Sequence, residues 1–270
     1  MQKDVIENEI KKAYGFIAEN RNAQSCCQST SCCNNENAAD YSSVKGYEKE
    51  ADLALGCGLP TEIANIKKGD TVIDLGSGAG NDVFIARSIV GESGKVIGVD
   101  ITPEMINRAV ENNNKFAYKN VEFLLGEIEN LQEIPDNTAD VVISNCVMNL
   151  VHNKEKAFSE VYRTLKTGGH FSISDIVYEG YLPDGVLKSA EMYASCISGA
   201  SEKRHYLDII EKVGFQNIQI KNERPINLPD SLLLKYISPD ELNSFKRSDS
   251  AIFSVTIYAE KLDKCKCCAG

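Results

Sequence analysis

Tryptophan is absent from the 270 residues and histidine is scarce, with three. That leaves little material for an aromatic-lined apolar pocket or for a histidine–carboxylate general base. His152, His170 and His205 stand in contexts that suggest surface or structural roles. No stretch approaches the ~18 apolar residues of a membrane-spanning helix. The opening residues, MQKDVIENEIKK, are charged throughout and offer no apolar core for a secretory signal, so a cytoplasmic setting is expected. A surplus of base is also missing: 29 Lys and Arg face 39 Asp and Glu, a formal charge of -10. Neither a nucleic acid nor an anionic membrane is an expected partner. A monomer is expected, and no internal repeat is visible.

Cysteine is what the chain has in excess. Of ten, seven fall in two short clusters: Cys26, Cys27, Cys32 and Cys33, then Cys265, Cys267 and Cys268. Cys57, Cys146 and Cys196 are scattered through the body. A chain of this size buries on the order of three-quarters of its unfolded surface and needs no disulfides to fold. Without a secretory signal, such thiols point to soft-metal or redox chemistry. Their spacing is not that of a zinc finger, and no structural zinc is expected.

Ile6, Ile10, Ala13 and Ile17 mark one face of a helix over residues 3–18. A polar, thiol-bearing stretch follows, from Arg21 to Asp40. Tyr47–Leu55 reads as a short helix stopped by Gly56-Cys57-Gly58. Beyond residue 70, strands alternate with helices: strands at Thr71–Leu75, Lys95–Asp100, Val121–Leu125, Asp140–Asn145 and His170–Asp175. Helices are expected at Asn81–Val90, from a Thr102 cap to about Tyr118, from Lys154 to Leu165 with a stop at Gly168-Gly169, and at 203–213. Strands near Phe215–Lys221 and at Ala251–Lys261, with no clear helix between them, suggest an antiparallel addition at the edge. Residues 222–245 suggest no assignment. The fold class is α/β: a Rossmann-like, mostly parallel sheet with helices on both faces. Three segments are expected: a helix and Cys-rich arm (1–45), a main domain (46–262) with a lid insertion at about 178–202, and a Cys-rich tail (263–270).

Asp74-Leu75-Gly76-Ser77-Gly78-Ala79-Gly80 closes the first strand and opens a helix. Dinucleotide folds use G-x-G-x-x-G to dock a pyrophosphate on the helix N-terminus; here the third glycine comes one residue early. Asp74, two residues before the first glycine, repels a diphosphate but suits a cation. Asp100 ends the second strand, where a carboxylate accepts both hydroxyls of a ribose. An amino acid joined to a ribose and an adenine fits this pattern, which makes S-adenosylmethionine the expected cofactor. A bare strand-to-helix turn would require neither carboxylate. Glu127 and Ile128, after the third strand, either flank an adenine or serve as a solvated loop and a core residue. Asn145 ends the fourth strand.

Ligands of open α/β sheets bind at the carboxyl ends of strands, where the strand order reverses. Cys146 directly follows the fourth strand and belongs at that rim. Cys57, between two glycines, is expected to have an open thiol on an adaptable loop. Cys196 lies in the lid insertion. Each alone reads more readily as a small buried hydrophobe, but together they offer soft sulfur ligands to a thiophilic centre.

DLGSGAGND, GVDITPEM, VEFLLGEIENL, ISNCVMNL, LKTGGHFSISD and CISGA together resemble the arsenite S-adenosylmethionine methyltransferases, from about Tyr14 to about Ala200. The resemblance implies that Cys146 and Cys196 bind trivalent arsenic, that Cys57 is a third reactive thiol, and that an arm cysteine, Cys26 or Cys27, is the fourth. It implies a cofactor site of Asp74, Gly76, Ser77, Gly78, Gly80, Asp100, Ile101, Met105, Glu127, Ile128 and Asn145. Arsenite or its thiol conjugates would be the substrate, with thioredoxin or glutathione as reductant. The tail, Lys264-Cys265-Lys266-Cys267-Cys268, is either incidental or a metalloid-capturing segment. Two other readings compete: a small-molecule methyltransferase with structural cysteines, and a metalloid-sequestering protein without enzymatic activity. The second leaves Asp74, Asp100 and the glycine loop without a role.

Overall fold

The computed structural model describes residues 3–20, 39–187, 197 and 199–263. Its elements begin with helix α1 (Lys3–Glu19), short helix α2 (Pro60–Ile63), strand β1 (Thr71–Leu75), α3 (Asn81–Val90), β2 (Lys95–Asp100), α4 (Pro103–Phe116) and β3 (Val121–Leu125). They continue with β4 (Ala139–Asn145), α5 (Lys154–Thr164), β5 (Leu165–Glu179), α6 (Asp184–Leu187), β6 (Ser201–Glu202), α7 (Lys203–Val213), β7 (Gln216–Ile226), α8 (Asp230–Leu233), α9 (Pro239–Arg247) and β8 (Ala251–Glu260).

The strands form one sheet in the order β3-β2-β1-β4-β5-β8-β7, with β6 paired to β5. β1 to β5 run parallel, and β8 lies antiparallel to both β5 and β7. Period-two alternation builds the two cores. Val72, Val96, Val141 and Ile143 face α3 in one cluster, while Ile73, Leu75, Ile97, Val99 and Val142 join Phe158 of α5 and Tyr206 of α7 in the other. With both faces covered, β1 and β4 are near-continuous apolar runs, as parallel sheets require. Among the described residues no helix is long and apolar enough to cross a membrane.

Two expectations are corrected, and a third, the antiparallel addition at the edge, is met with a strand order of its own. Tyr47–Leu55 is a chain of turns, not a helix. The Asp52 carboxylate accepts from the Tyr47 hydroxyl (3.0 Å) and the Ala54 amide (2.8 Å), a local side-chain bond that competes with helical pairing. Gly168-Gly169 does not stop a helix: α5 already ends at Thr164, and the glycines lie in a bulge where the β4–β5 register shifts. The late antiparallel pair is present, but β8 inserts between β5 and β7, so that β7 is the edge. Residues 222–245 extend β7 and supply α8 and α9, the latter opened by a capping box of Ser238 and Glu241.

Candidate functional site

The turn from β1 into α3 is built from glycines with positive φ: 73° at Gly76, 51° at Gly78 and 97° at Gly80, backbone angles that side chains with a Cβ resist. The amides of this loop are already occupied. Gly76 and Ser77 donate to the Val99 carbonyl at 2.7 and 3.0 Å, Gly80 donates to Ser77, and Gly78 donates to Asp100 Oδ2 at 2.9 Å. The phosphate cradle of a dinucleotide fold needs such amides free, so this loop suits a ligand recognised by carboxylates instead.

A cleft of about 1220 Å³, open mouth included, lies over this loop. It brings together Asp74, Gly76, Ser77, Gly78, Asp100, Ile101, Met105, Glu127, Ile128, Asn145 and Cys146. Gly80 stays outside that lining, its α-carbon packed against Phe84 and Phe123. Ile128 lines the cleft and also belongs to the apolar core. Asp74, Asp82 and Asp100 all reach the cleft. Burial raises each pKa: Asp74 well above the usual carboxylate range, with help from the charges of Asp82 and Asp100; Asp82 to about 6; Asp100 also upward. Ser77 Oγ, Asn81 Oδ1 and Asp82 Oδ1 are buried without a hydrogen-bond partner. Buried acceptors and clustered carboxyls without a cation are costly unless a ligand completes them. S-adenosylmethionine, with an ammonium, a sulfonium and a ribose diol, fits this donor demand.

At the rim, the chain leaves β4 through Cys146, whose φ of 63° is left-handed and held by its amide donating to the Ser174 carbonyl at 2.7 Å. Such strain in a non-glycine residue persists only where its surroundings fix it. Val147 packs so tightly on Gly76 that a Cβ there would collide with it. The glycine loop and the Cys146 turn are thus locked side by side.

Cys57 is buried rather than open. It shares an apolar cluster with Cys146, Ile176, Leu182, Val186, Ile197 and Ala200. Its glycines serve close approach: a Cβ on Gly56 would stand 2.7 Å from Asn145 Nδ2, and one on Gly58 would strike Ser174 Oγ. Asn145 Oδ1 accepts from the Cys57 and Gly58 amides at 3.0 and 3.2 Å. The Cys57 carbonyl accepts from Ser254 Oγ (2.6 Å) and Arg224 Nη2 (3.4 Å). The loop is clamped, not adaptable, because strands β4, β7 and β8 all grip its backbone.

A family model described as a methyltransferase domain matches residues 66–214, more than half of the chain. An arsenite methyltransferase of Aquipseudomonas alcaligenes is 30% identical over 275 residues, which covers 96% of this chain and 73% of that protein. The chain belongs to the arsenite methyltransferase family. A second member, from Halobacterium salinarum, is 40% identical over 227 residues, covering 78% of this chain but only 57% of its own length. This chain therefore spans little more than half of that relative. Among solved structures, an arsenic(III) S-adenosylmethionine methyltransferase from Chlamydomonas reinhardtii superposes with a TM-score of 0.67 at 33% identity, over 77% of this chain and 68% of that one.

Cys196, Cys26, Cys27, Cys32, Cys33 and the tail cysteines of this family member lie outside the described residues. Among the described residues no group of His, Cys, Asp and Glu is arranged to hold a metal ion. Sequence reasoning missed Tyr41, Asp82 and the α1 residues Ile10 and Tyr14, all on the cleft. Asp82 carried a signal, an acidic residue in the first turn of the helix that the glycine loop opens; Tyr41 carried none. His152, expected at the surface, is exposed yet stands on the cleft lining. His170 is structural, with Nε2 on the Ala64 carbonyl at 2.5 Å and its ring against Tyr258.

Proposed function

We propose that this protein transfers methyl groups from S-adenosylmethionine to trivalent arsenic held on cysteine thiolates. The observation that carries the reading is Cys146: one cleft holds its thiol-bearing turn together with the glycine loop, Asp74 and Asp100. Asp74, Asp82 and Asp100 hold the cofactor, the first two through its positive charge and Asp100 through the ribose. When bound, it supplies a sulfonium-activated methyl group, which the lone pair of trivalent arsenic accepts without a general base. Cys146 and Cys57 exchange their thiol protons for arsenic, each proton leaving with a displaced hydroxide as water or with glutathione as its thiol. Cys196 completes the set. The apolar side chains around Cys57 and Cys146 favour a soft ligand over a hydrated ion and keep water from the reacting atoms. Positioning does the rest, because the transfer needs the two centres close and collinear. S-adenosylhomocysteine leaves as the thioether, and the methylated arsenic is formally pentavalent. A pair of protein thiols, Cys57 with an arm cysteine, reduces it and becomes a disulfide, which glutathione or thioredoxin returns to thiols in a cytoplasmic setting. The protein works as a monomer in arsenic detoxification.

The test is transfer of labelled methyl from S-adenosylmethionine to arsenite with a thiol reductant, for the wild type and Cys146→Ser in parallel. Labelled methylarsenicals from the wild type, and a loss of at least a hundredfold in the variant, are expected. Cofactor binding without any labelled arsenical would overturn the arsenic reading and leave a small-molecule methyltransferase.

A further inference from the structure

Asn145 is the side chain that joins the cofactor cleft to the Cys57 loop. On one side its Oδ1 accepts from the Cys57 and Gly58 amides. On the other its Nδ2 faces the Tyr41 hydroxyl (2.5 Å), the Gly58 carbonyl (2.9 Å) and Asp82 Oδ2 (3.2 Å). The Tyr41 hydroxyl is in turn 3.0 Å from both Asp82 Oδ2 and the Gly58 carbonyl and can donate to either. We propose that Asn145 is a positioning residue: through Asp82 and Tyr41 it senses whether the cleft is occupied, and through its amide oxygen it seats the Cys57 thiol loop. This rests on the S-adenosylmethionine reading of the cleft and adds a coupling between that site and the thiol loop.

The coupling follows from the amide's planarity. An amide presents acceptors to one side and donors to the other. Turned over, Asn145 would set its NH2 group against the Cys57 and Gly58 amides, a donor facing two donors. What holds it the right way round is the set of acceptors facing Nδ2: the Gly58 carbonyl on the loop itself, and Tyr41 and Asp82 Oδ2 on the side of the cleft. Asp82 has a second oxygen, Oδ1, which is buried without a partner in a residue that lines the cleft. A cationic ligand on Oδ1 keeps the carboxyl charged, and a charged acceptor draws stronger hydrogen bonds from Tyr41 and Asn145. The orientation then passes to the loop because no slack separates them: Gly56 leaves no room for even a methyl group beside Asn145 Nδ2. The far side of the loop, the Cys57 carbonyl, is held independently by Ser254 and Arg224. Loosening Asn145 therefore releases one flank of Cys57 and leaves the other anchored.

The full-length chain tests this with S-adenosylhomocysteine as the probe. Alkylation of Cys57 by N-ethylmaleimide, followed on its own peptide by mass spectrometry, is timed with and without the probe, and binding is measured by calorimetry on the same samples. In the wild type the probe should slow Cys57 alkylation about tenfold, the scale of one charge-assisted hydrogen bond. Asn145→Ala should react fast in both states. Tyr41→Phe, which removes a single oxygen, is compared at a probe concentration that calorimetry on the same sample shows to saturate it, and should lose most of the protection. Simple shielding by the bound probe would survive in Tyr41→Phe, so full protection in that variant overturns the proposal. An unchanged Cys57 rate in wild type with the probe bound does the same. No binding to the wild type would instead overturn the cofactor reading, and this coupling with it.

Discussion

Loss of water pushes Asp82 up to about 6, against hydrogen bonds from Asn145 and Tyr41 that pull it down. In the unfolded chain the same carboxyl titrates at the ordinary 3.8. Below that value both states are protonated. Between the two values the unfolded chain gives up its proton while the folded one keeps it, so stability present at acid pH is lost as pH rises to about 6. The loss amounts to on the order of 3 kcal/mol. Asp82→Asn should therefore flatten the stability of the ligand-free protein across pH 4 to 6.5, measured by thermal unfolding. Asp74 and Asp100 shift in the same direction, so part of the slope should remain. Equal slopes in both proteins would assign it elsewhere. At this scale the sequence was legible where a residue sits on a strand end: Asp74, Asp100 and Cys146 announce themselves by position. Tyr41 did not, and Asp82 showed only as an acid in the first turn of α3, because what makes them matter is Asn145, 104 and 63 residues further along the chain.

Helix α1 was legible from its apolar spacing alone, but its task was not. Ile17 and Ala18 pack on Met105 of α4, with Leu53 and Leu55 alongside, and Arg108 donates to the Ala18 carbonyl at 2.9 Å. That docking brings Ile10 and Tyr14 to the cleft. Ile17→Asp should undock the helix at a cost on the order of 3 kcal/mol, since it buries an unpaired charge in place of an apolar group. S-adenosylmethionine affinity should fall at least tenfold by calorimetry, while the circular dichroism of the sheet persists. Unchanged affinity would show that α1 does not help form the site. Where element-level reading failed, a side chain had intervened. Asp52 captured the backbone of 47–55, and the paired glycines at 168–169 served a bulge where the pattern suggested a helix end.

For the whole molecule, the parallel half of the sheet followed from strand–helix alternation, whereas the place of β8 did not. A strand's neighbours are chosen by tertiary packing, and nothing local in Ala251–Glu260 states that it divides β5 from β7. The placement has a measurable result. Within the stretch paired on both sides, the amides of Val255–Tyr258 should exchange with deuterium among the slowest in the protein, and those of edge strand β7 markedly faster. Equal rates in β7 and β8 would contradict this topology. It also bears on biosynthesis. The serine that grips the Cys57 carbonyl lies on β8, 197 residues downstream of the thiol it steadies. At ~5–20 residues per second, a ribosome needs on the order of tens of seconds to cover that distance. During that time the emerging chain carries a cysteine whose final restraint has not yet been made, so oxidants and electrophiles meet it most readily before synthesis is complete.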